Sequence, residues 1–208
     1  MRTSLTDKVL VLDLDHTLIN TEDDMKNLEV ILSNPKNVKY RSRIYLLDFI
    51  DQNEDDKWER CKMWGTTRPH LKQFLKFAFE YFKLVIVWSA GVSRYVKAVV
   101  NEIFKDFPQP PIIYTRSNMK SDIKPLEQMI REIPELKSIK SLSNTLAIDD
   151  KEYTIKDNPD NGILIPQYVP KTIDEEDDAL LKLMEWLKRP DVKNSTDVRN
   201  LDKKNIFN

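Results

Sequence analysis

Val9-Leu10-Val11-Leu12-Asp13-Leu14-Asp15-His16-Thr17-Leu18 is the stretch on which the fold turns. Four consecutive apolar residues stop at a polar cluster. A strand buried on both faces reads this way, without the alternation of a half-exposed strand, and such strands belong to parallel sheets. The same signature recurs over residues 84–88, 111–114, 145–148 and 162–165. Helical patterns lie between these runs. Residues 69–82 open with Pro69 at a first-turn position and space Leu71, Phe74, Leu75, Ala78 and Phe82 along one face. Residues 93–104 carry Val96, Val99, Val100, Ile103 and Phe104 as a stripe. Residues 125–133 form a shorter candidate, and 175–187 open in an acidic turn that suits the helix dipole. Strands alternating with helices predict an α/β fold: a Rossmann-like parallel sheet flanked by helices, with its ligand site beyond the carboxyl ends of the strands.

Residues 21–67 break the alternation. Residues 40–49 and 58–64 read as two strands around the acidic turn 51–56, a small β-hairpin or sheet inserted before the first long helix. The expected organisation is a single domain over 1–190 with this insert, followed by a polar, partly disordered tail over 191–208.

Composition narrows the classes. With 208 residues, 40% hydrophobic and 32% charged, the chain reads as globular. Lys plus Arg, 33, nearly balance Asp plus Glu, 34, so broad adhesion to nucleic acid or to a membrane surface is not expected. The single Cys61 forms no intramolecular disulfide, and with His16 and His70 far apart there is no zinc set. No stretch approaches the roughly 20 apolar residues that span a bilayer, and residues 1–8 lack the apolar core of a secretory signal. A soluble protein of the cytoplasm or nucleus is expected. The only glycines are Gly65, Gly91 and Gly162, which excludes a P-loop. Cys61 and Arg68 are seven apart with no glycine-rich run between them, which argues against a cysteine-nucleophile phosphate loop.

Four places carry chemistry. Asp13 and Asp15 lie two apart at a strand end, where their carboxylates meet and need a cation or a shared proton; the plainer reading is a polar loop with two solvated aspartates. In Trp88-Ser89-Ala90-Gly91, a hydroxyl and the backbone amides of a helix start suit a phosphate oxygen, or form a simple helix cap. Lys124 either neutralises phosphate charge or is a surface lysine. Ile148-Asp149-Asp150 is a second acidic pair at a strand end, a metal site or a turn. Acidic pair, hydroxyl, lysine and acidic pair follow in chain order, three of them at strand ends, and the set is more specific than any member.

With these motifs the sequence resembles the haloacid-dehalogenase superfamily, and within it the small carboxy-terminal-domain (NLI-interacting-factor-like) phosphatases. Their opening Asp-x-Asp-x-Thr corresponds to Asp13-Leu14-Asp15-His16-Thr17, and their Arg-Pro-His to Arg68-Pro69-His70. Asn161-Gly162-Ile163, the acidic helix ending near Leu187 and Asp191-Val192 extend the resemblance over about 9–199. The chain departs from the family at Pro125, where Asp is usual, at Asp150, where Asn is common, and across the insert. The resemblance implies a Mg2+-dependent phosphomonoester hydrolase. Asp13 would be the nucleophile and form an aspartyl-phosphate; Asp15 would be the general acid, then the general base. The Asp13 carboxylate, the Asp15 backbone carbonyl and Asp149 would ligate magnesium. Ser89, with Ala90, and Lys124 would bind phosphate oxygens, with Thr17 and Asp150 in support and His16 a spacer.

An insert too short for a large cap leaves the site open, which suits a phosphorylated protein segment. By family analogy the substrate is phosphoserine in a flexible peptide such as the RNA polymerase II tail repeats. Tyr45, Trp58 and Trp64 are candidates to hold a proline ring, or are core residues of the hairpin. Two other readings stand. One is a catalytically inactive peptide-binding module of the same fold, signalled by a membrane anchor, a presequence or a broken aspartate pair. The other is the same chemistry on a nucleic-acid end or a small phosphomonoester.

Overall fold

A computed structural model of the chain describes residues 4–34, 37–52, 55–133, 141–170 and 177–208. Its centre is a five-stranded sheet built from β1 (Val9–Leu12), β5 (Leu84–Trp88), β6 (Ile112–Tyr114), β7 (Thr145–Asp149) and β8 (Gly162–Leu164). Every neighbouring pair is parallel, in the order β6-β5-β1-β7-β8. β1 is therefore central, and the chain winds outward in both directions from it. The crevice at that change of direction is where open α/β sheets bind ligands.

The apolar runs are double-sided because helices cover both faces. Leu10, Leu12, Val85, Val87, Leu146 and Ile148 point into one core with α3 (Leu71–Tyr81), α4 (Ser93–Ile103) and α6 (Ala179–Lys188). Val9, Val11, Ile86, Trp88 and Ala147 point the other way, against Leu126 and Met129 of α5 (Leu126–Glu132). Successive strand residues thus serve opposite cores, as the pleat requires.

The insert holds more than a hairpin. β2 (Ile19–Glu22), β3 (Ile44–Gln52) and β4 (Trp58–Thr67) form an antiparallel sheet in the order β2-β4-β3. Two short helices, α1 (Met25–Ser33) and α2 (Val38–Arg41), lie between β2 and β3. Tyr40, expected to begin a strand, sits in α2 instead and is buried with Leu28 and Trp64 in a small core of its own. The expected turn 51–56 joins β3 to β4, with residues 53–54 outside the described set. The last long helix, expected from 175, begins at Ala179; residues 171–176 lie outside the described set.

The expectation of a partly disordered tail is corrected. Val192 in α7 (Pro190–Lys193), and Val198 and Ile206 beyond it, are buried in the main core. Lys8 donates from Nζ to the carbonyls of Lys193 and Ser195, at 2.9 and 3.0 Å, tying this stretch to the start of β1. Isolated apolar residues among polar ones have no period to read, yet three of them suffice to dock the segment. No helix among the described residues is long and apolar enough to cross a membrane.

Candidate active site

The chain reverses directly after β1. The Leu14 carbonyl accepts from the amides of Thr17, Leu18 and Ile19, and His16 adopts a left-handed conformation, φ 61°. Asp13 is still anchored to the sheet, its amide donating to the Ile148 carbonyl at 3.0 Å. Segment 166–169 clamps the turn: the Tyr168 amide donates to the His16 carbonyl at 2.6 Å, and His16 Nδ1 lies 3.3 Å from the Tyr168 carbonyl. His16 is occupied in holding the turn, in keeping with a spacer.

Asp13 and Asp149 end neighbouring strands, and the buried Lys124 spans them. Its Nζ donates to Asp13 Oδ1 and Asp149 Oδ2, each at 2.6 Å. Pro125, the departure from the family pattern, does not disturb this. It caps α5 with φ −74°, while the Lys124 amide donates to the Thr154 carbonyl. Burial pushes the Asp13 carboxyl up to about 7, Lys124 pulling against this and Asp149 adding to it. On Lys124 burial pulls downward, and the two carboxylates outweigh it, so the amine stays charged. Asp150 is raised by burial and by its neighbour Asp149.

One carboxylate oxygen from each of Asp13, Asp149 and Asp150 lies within 4.8 Å of the others. Asp150 Oδ2 is buried with no hydrogen-bond partner among the described residues. Three carboxylates face one ammonium, leaving net negative charge and an unpaired oxygen. That donor set fits a hard divalent cation, which takes about six oxygens and retains waters. The Asp15 carboxyl is not part of the trio. It is turned to Tyr95, whose phenol donates to Oδ1, and it lies 3.5 Å from Ser89 Oγ, the outer limit of a hydrogen bond. Burial raises Asp15, and these hydrogen bonds pull against it. Burial and the Asp15 charge hold Tyr95 well above the usual phenol range, so it remains a donor.

Asp13, Asp15, Ala90, Lys124, Asp149 and Asp150 share one cleft of about 60 Å³. Ser89 sits behind it, fully buried, its Oγ accepting from the Gly91 amide at 3.0 Å. Thr17 is buried beneath the turn, its hydroxyl without a hydrogen-bond partner among the described residues. Sequence reasoning passed over Met119, Asp122 and Tyr153, which also line the cleft, and over Tyr95, read only as part of a helix. Asp122 follows Ser121 in a loop where both take positive φ; no sequence spacing announced that loop.

Of the three candidate aromatics in the insert, Tyr45 and Trp64 are buried and Trp58 is exposed beneath the Arg94 guanidinium, 4.3 Å from its ring centroid. Arg68, from the Arg-Pro-His motif, is buried outside the cleft. It grips both carboxylate oxygens of Asp177 and donates to the carbonyls of Thr17 and Pro166. It ties the turn after β1, segment 166–169 and the approach to α6 together. Cys61 is a free thiol on β4.

A family model described as NLI interacting factor-like phosphatase matches residues 8–199. The chain belongs to that family. A ubiquitin-like domain-containing CTD phosphatase 1 of Xenopus laevis is 26% identical over 199 residues, covering 85% of this chain and 61% of that protein. The human protein of the same name is 29% identical over 134 residues, 58% of this chain and 41% of that protein. A putative CTD phosphatase-like protein of invertebrate iridescent virus 3 is 26% identical, covering 86% of this chain and 95% of the viral one. The chain thus spans about three fifths of the Xenopus relative. Among solved structures, fission yeast RNA polymerase II CTD phosphatase Fcp1 bound to beryllium fluoride superposes with a TM-score of 0.61 at 20% identity, over 87% of this chain and 51% of that one. The shared architecture is the haloacid-dehalogenase fold: a parallel sheet flanked by helices, with an added antiparallel sheet.

Proposed function

We propose that the chain is a magnesium-dependent phosphomonoester hydrolase with Asp13 as nucleophile, acting on phosphoserine in protein segments. One observation carries the reading: Asp13, Lys124, Asp149 and Asp150 converge from two strand ends and a loop on one cleft, with Asp15 beside it. Asp13, Asp149 and Asp150 are the residues that would hold magnesium, with the Asp15 backbone carbonyl. When bound, the ion neutralises phosphate charge and lets two anions approach.

The chain's own groups supply the remainder. Asp13 attacks phosphorus and carries the phosphoryl group as an aspartyl-phosphate. Asp15 delivers a proton to the leaving serine oxygen, then takes one from the water that cleaves the acyl phosphate. Lys124 balances the growing charge on the phosphoryl oxygens, and the backbone around Ser89 and Ala90 holds them. A cleft of about 60 Å³ is a place for the phosphoryl group rather than for a whole phosphopeptide. The rest of the substrate stays outside, which suits a phosphorylated side chain on a peptide. Family membership and the names of the relatives support the same substrate class.

The test is phosphate release from an aryl phosphate and from a phosphoserine peptide, with Mg2+, for wild type and Asp13→Asn. Wild type is expected to turn over both, and the variant neither. Appreciable turnover by the variant removes Asp13 from the nucleophile's role.

A further inference from the structure

We propose that Tyr95 is a positioning residue for Asp15, held in place from the insert by a chain of hydroxyls running through Thr21 and Tyr45. This role presupposes that Asp15 is the acid–base group of the reaction proposed above. The chain has four members on four segments: Asp15 in the turn after β1, Tyr95 in the first turn of α4, Thr21 on β2 and Tyr45 on β3. The Tyr95 hydroxyl contacts Asp15 Oδ1 and lies 2.7 Å from Thr21 Oγ1; Thr21 Oγ1 lies 2.6 Å from the Tyr45 hydroxyl.

Valence fixes the direction. A carboxylate only accepts, and a phenol has one proton. With that proton on the line to Asp15, Thr21 must donate to the Tyr95 oxygen and Tyr45 to Thr21. Every hydroxyl in the series then points toward the carboxylate, and each bond polarises the next.

The insert makes room for this arrangement at Gly65. Gly65 on β4 is paired with Thr21 on one side and Tyr45 on the other. A Cβ there would lie 2.6 Å from the Asn20 carbonyl and would collide with the Tyr45 hydroxyl. Glycine is thus the residue that lets the Tyr45 hydroxyl cross β4 and reach Thr21. Tyr45 and Thr21 belong to the insert, not to the catalytic sheet, so the small sheet reaches the acid–base group through hydroxyls.

A carboxyl torsion is broad and poorly fixed by itself. Occupying Oδ1 fixes its plane and leaves Oδ2, on the Ser89 side, for the substrate. Loss of that constraint should matter where a proton must reach a poor leaving group and should matter little where the leaving group departs unaided.

The experiment compares kcat/KM for a phosphoserine peptide and for para-nitrophenyl phosphate in wild type, Asp15→Asn, Tyr95→Phe and Tyr45→Phe. Tyr95→Phe is expected to lose roughly tenfold on the peptide, within the range for removing a group that orients a functional one, and less than about threefold on the aryl phosphate. Tyr45→Phe is expected to show the same selectivity, more weakly. Equal losses on both substrates for Tyr95→Phe, or none on either, overturn the proposal while Asp15→Asn still shows its peptide-selective loss. So does a Tyr45→Phe variant indistinguishable from wild type, which cuts the link to the insert. If Asp15→Asn itself shows no selectivity between the substrates, the acid–base assignment fails and the positioning role falls with it. Both phenylalanine variants remove one oxygen from a packed ring, and thermal melting of each confirms that the fold persists.

Discussion

Replacing Asp13 with asparagine should stabilise the metal-free protein while it abolishes catalysis. In the folded chain burial pushes the Asp13 carboxyl from 3.8 up to about 7. A carboxyl with a raised folded value binds its proton more tightly when folded than when unfolded, so stability is lost as pH rises from about 4 through about 7. The difference corresponds to about 4 kcal/mol of destabilisation at pH 8, and to only about 1.5 kcal/mol at pH 5. Asparagine keeps the oxygen that accepts from Lys124 and leaves Lys124 and Asp149 as a neutral pair. Its amide adds a buried donor beside an ammonium, at a cost of about 2 kcal/mol. The net gain is about 2 kcal/mol at pH 8, which is about 4–8 °C in melting temperature for a domain of this size. The assay is thermal unfolding of both proteins in EDTA at pH 5 and pH 8. The variant should melt higher at pH 8, with the gap closing or reversing at pH 5, and saturating Mg2+ should favour the wild type. A variant that melts lower at pH 8, or a gap that ignores pH, refutes the reasoning that Asp13 is held ionised against its surroundings.

Two other outcomes are expected. Excess EDTA should abolish phosphate release and added Mg2+ should restore it; undiminished turnover in EDTA removes the metal from the reaction. Arg68→Ala should cost about 3–5 kcal/mol in urea unfolding, because it strands the Asp177 carboxylate and two carbonyls. Arg68→Lys should recover little, since an ammonium cannot reproduce the fork.

The central sheet was legible because β1, β5 and β7 are buried almost throughout, and continuous apolar runs carry that information locally; the edge strands β6 and β8 are only partly buried but keep short apolar runs of their own. The helices α3 and α4 were legible from their stripes, which are the residues that became buried. β2 was not: only Ile19 and Asn20 of its four residues are buried, and it follows the turn after β1 too closely to form a run of its own. α1 was missed because Val30 and Leu32 face solvent and blur the stripe. Asp13 and Asp149 could be placed together because strand ends converge in this architecture, whereas Lys124, in a loop, joined them only through the order of the motifs and the family resemblance. Tyr95 could not, since its bond to Asp15 spans 80 positions and depends on which way the first turn of α4 faces.

The place of β1 has a consequence for how the site comes into being. Val9 pairs with Leu84 on one side and with Thr145 on the other. β1 is synthesised before both of its neighbours and is enclosed only once β5 and β7 have paired with it. At about 5–20 residues per second, roughly seven to twenty-seven seconds separate the emergence of Asp13 from that of Asp149. Through that interval Asp13 is an ordinary solvated aspartate, with neither Lys124 nor Asp149 beside it. The buried environment of Asp13 is thus a product of the completed sheet, and a nascent chain stalled before β7 has its motif without that environment.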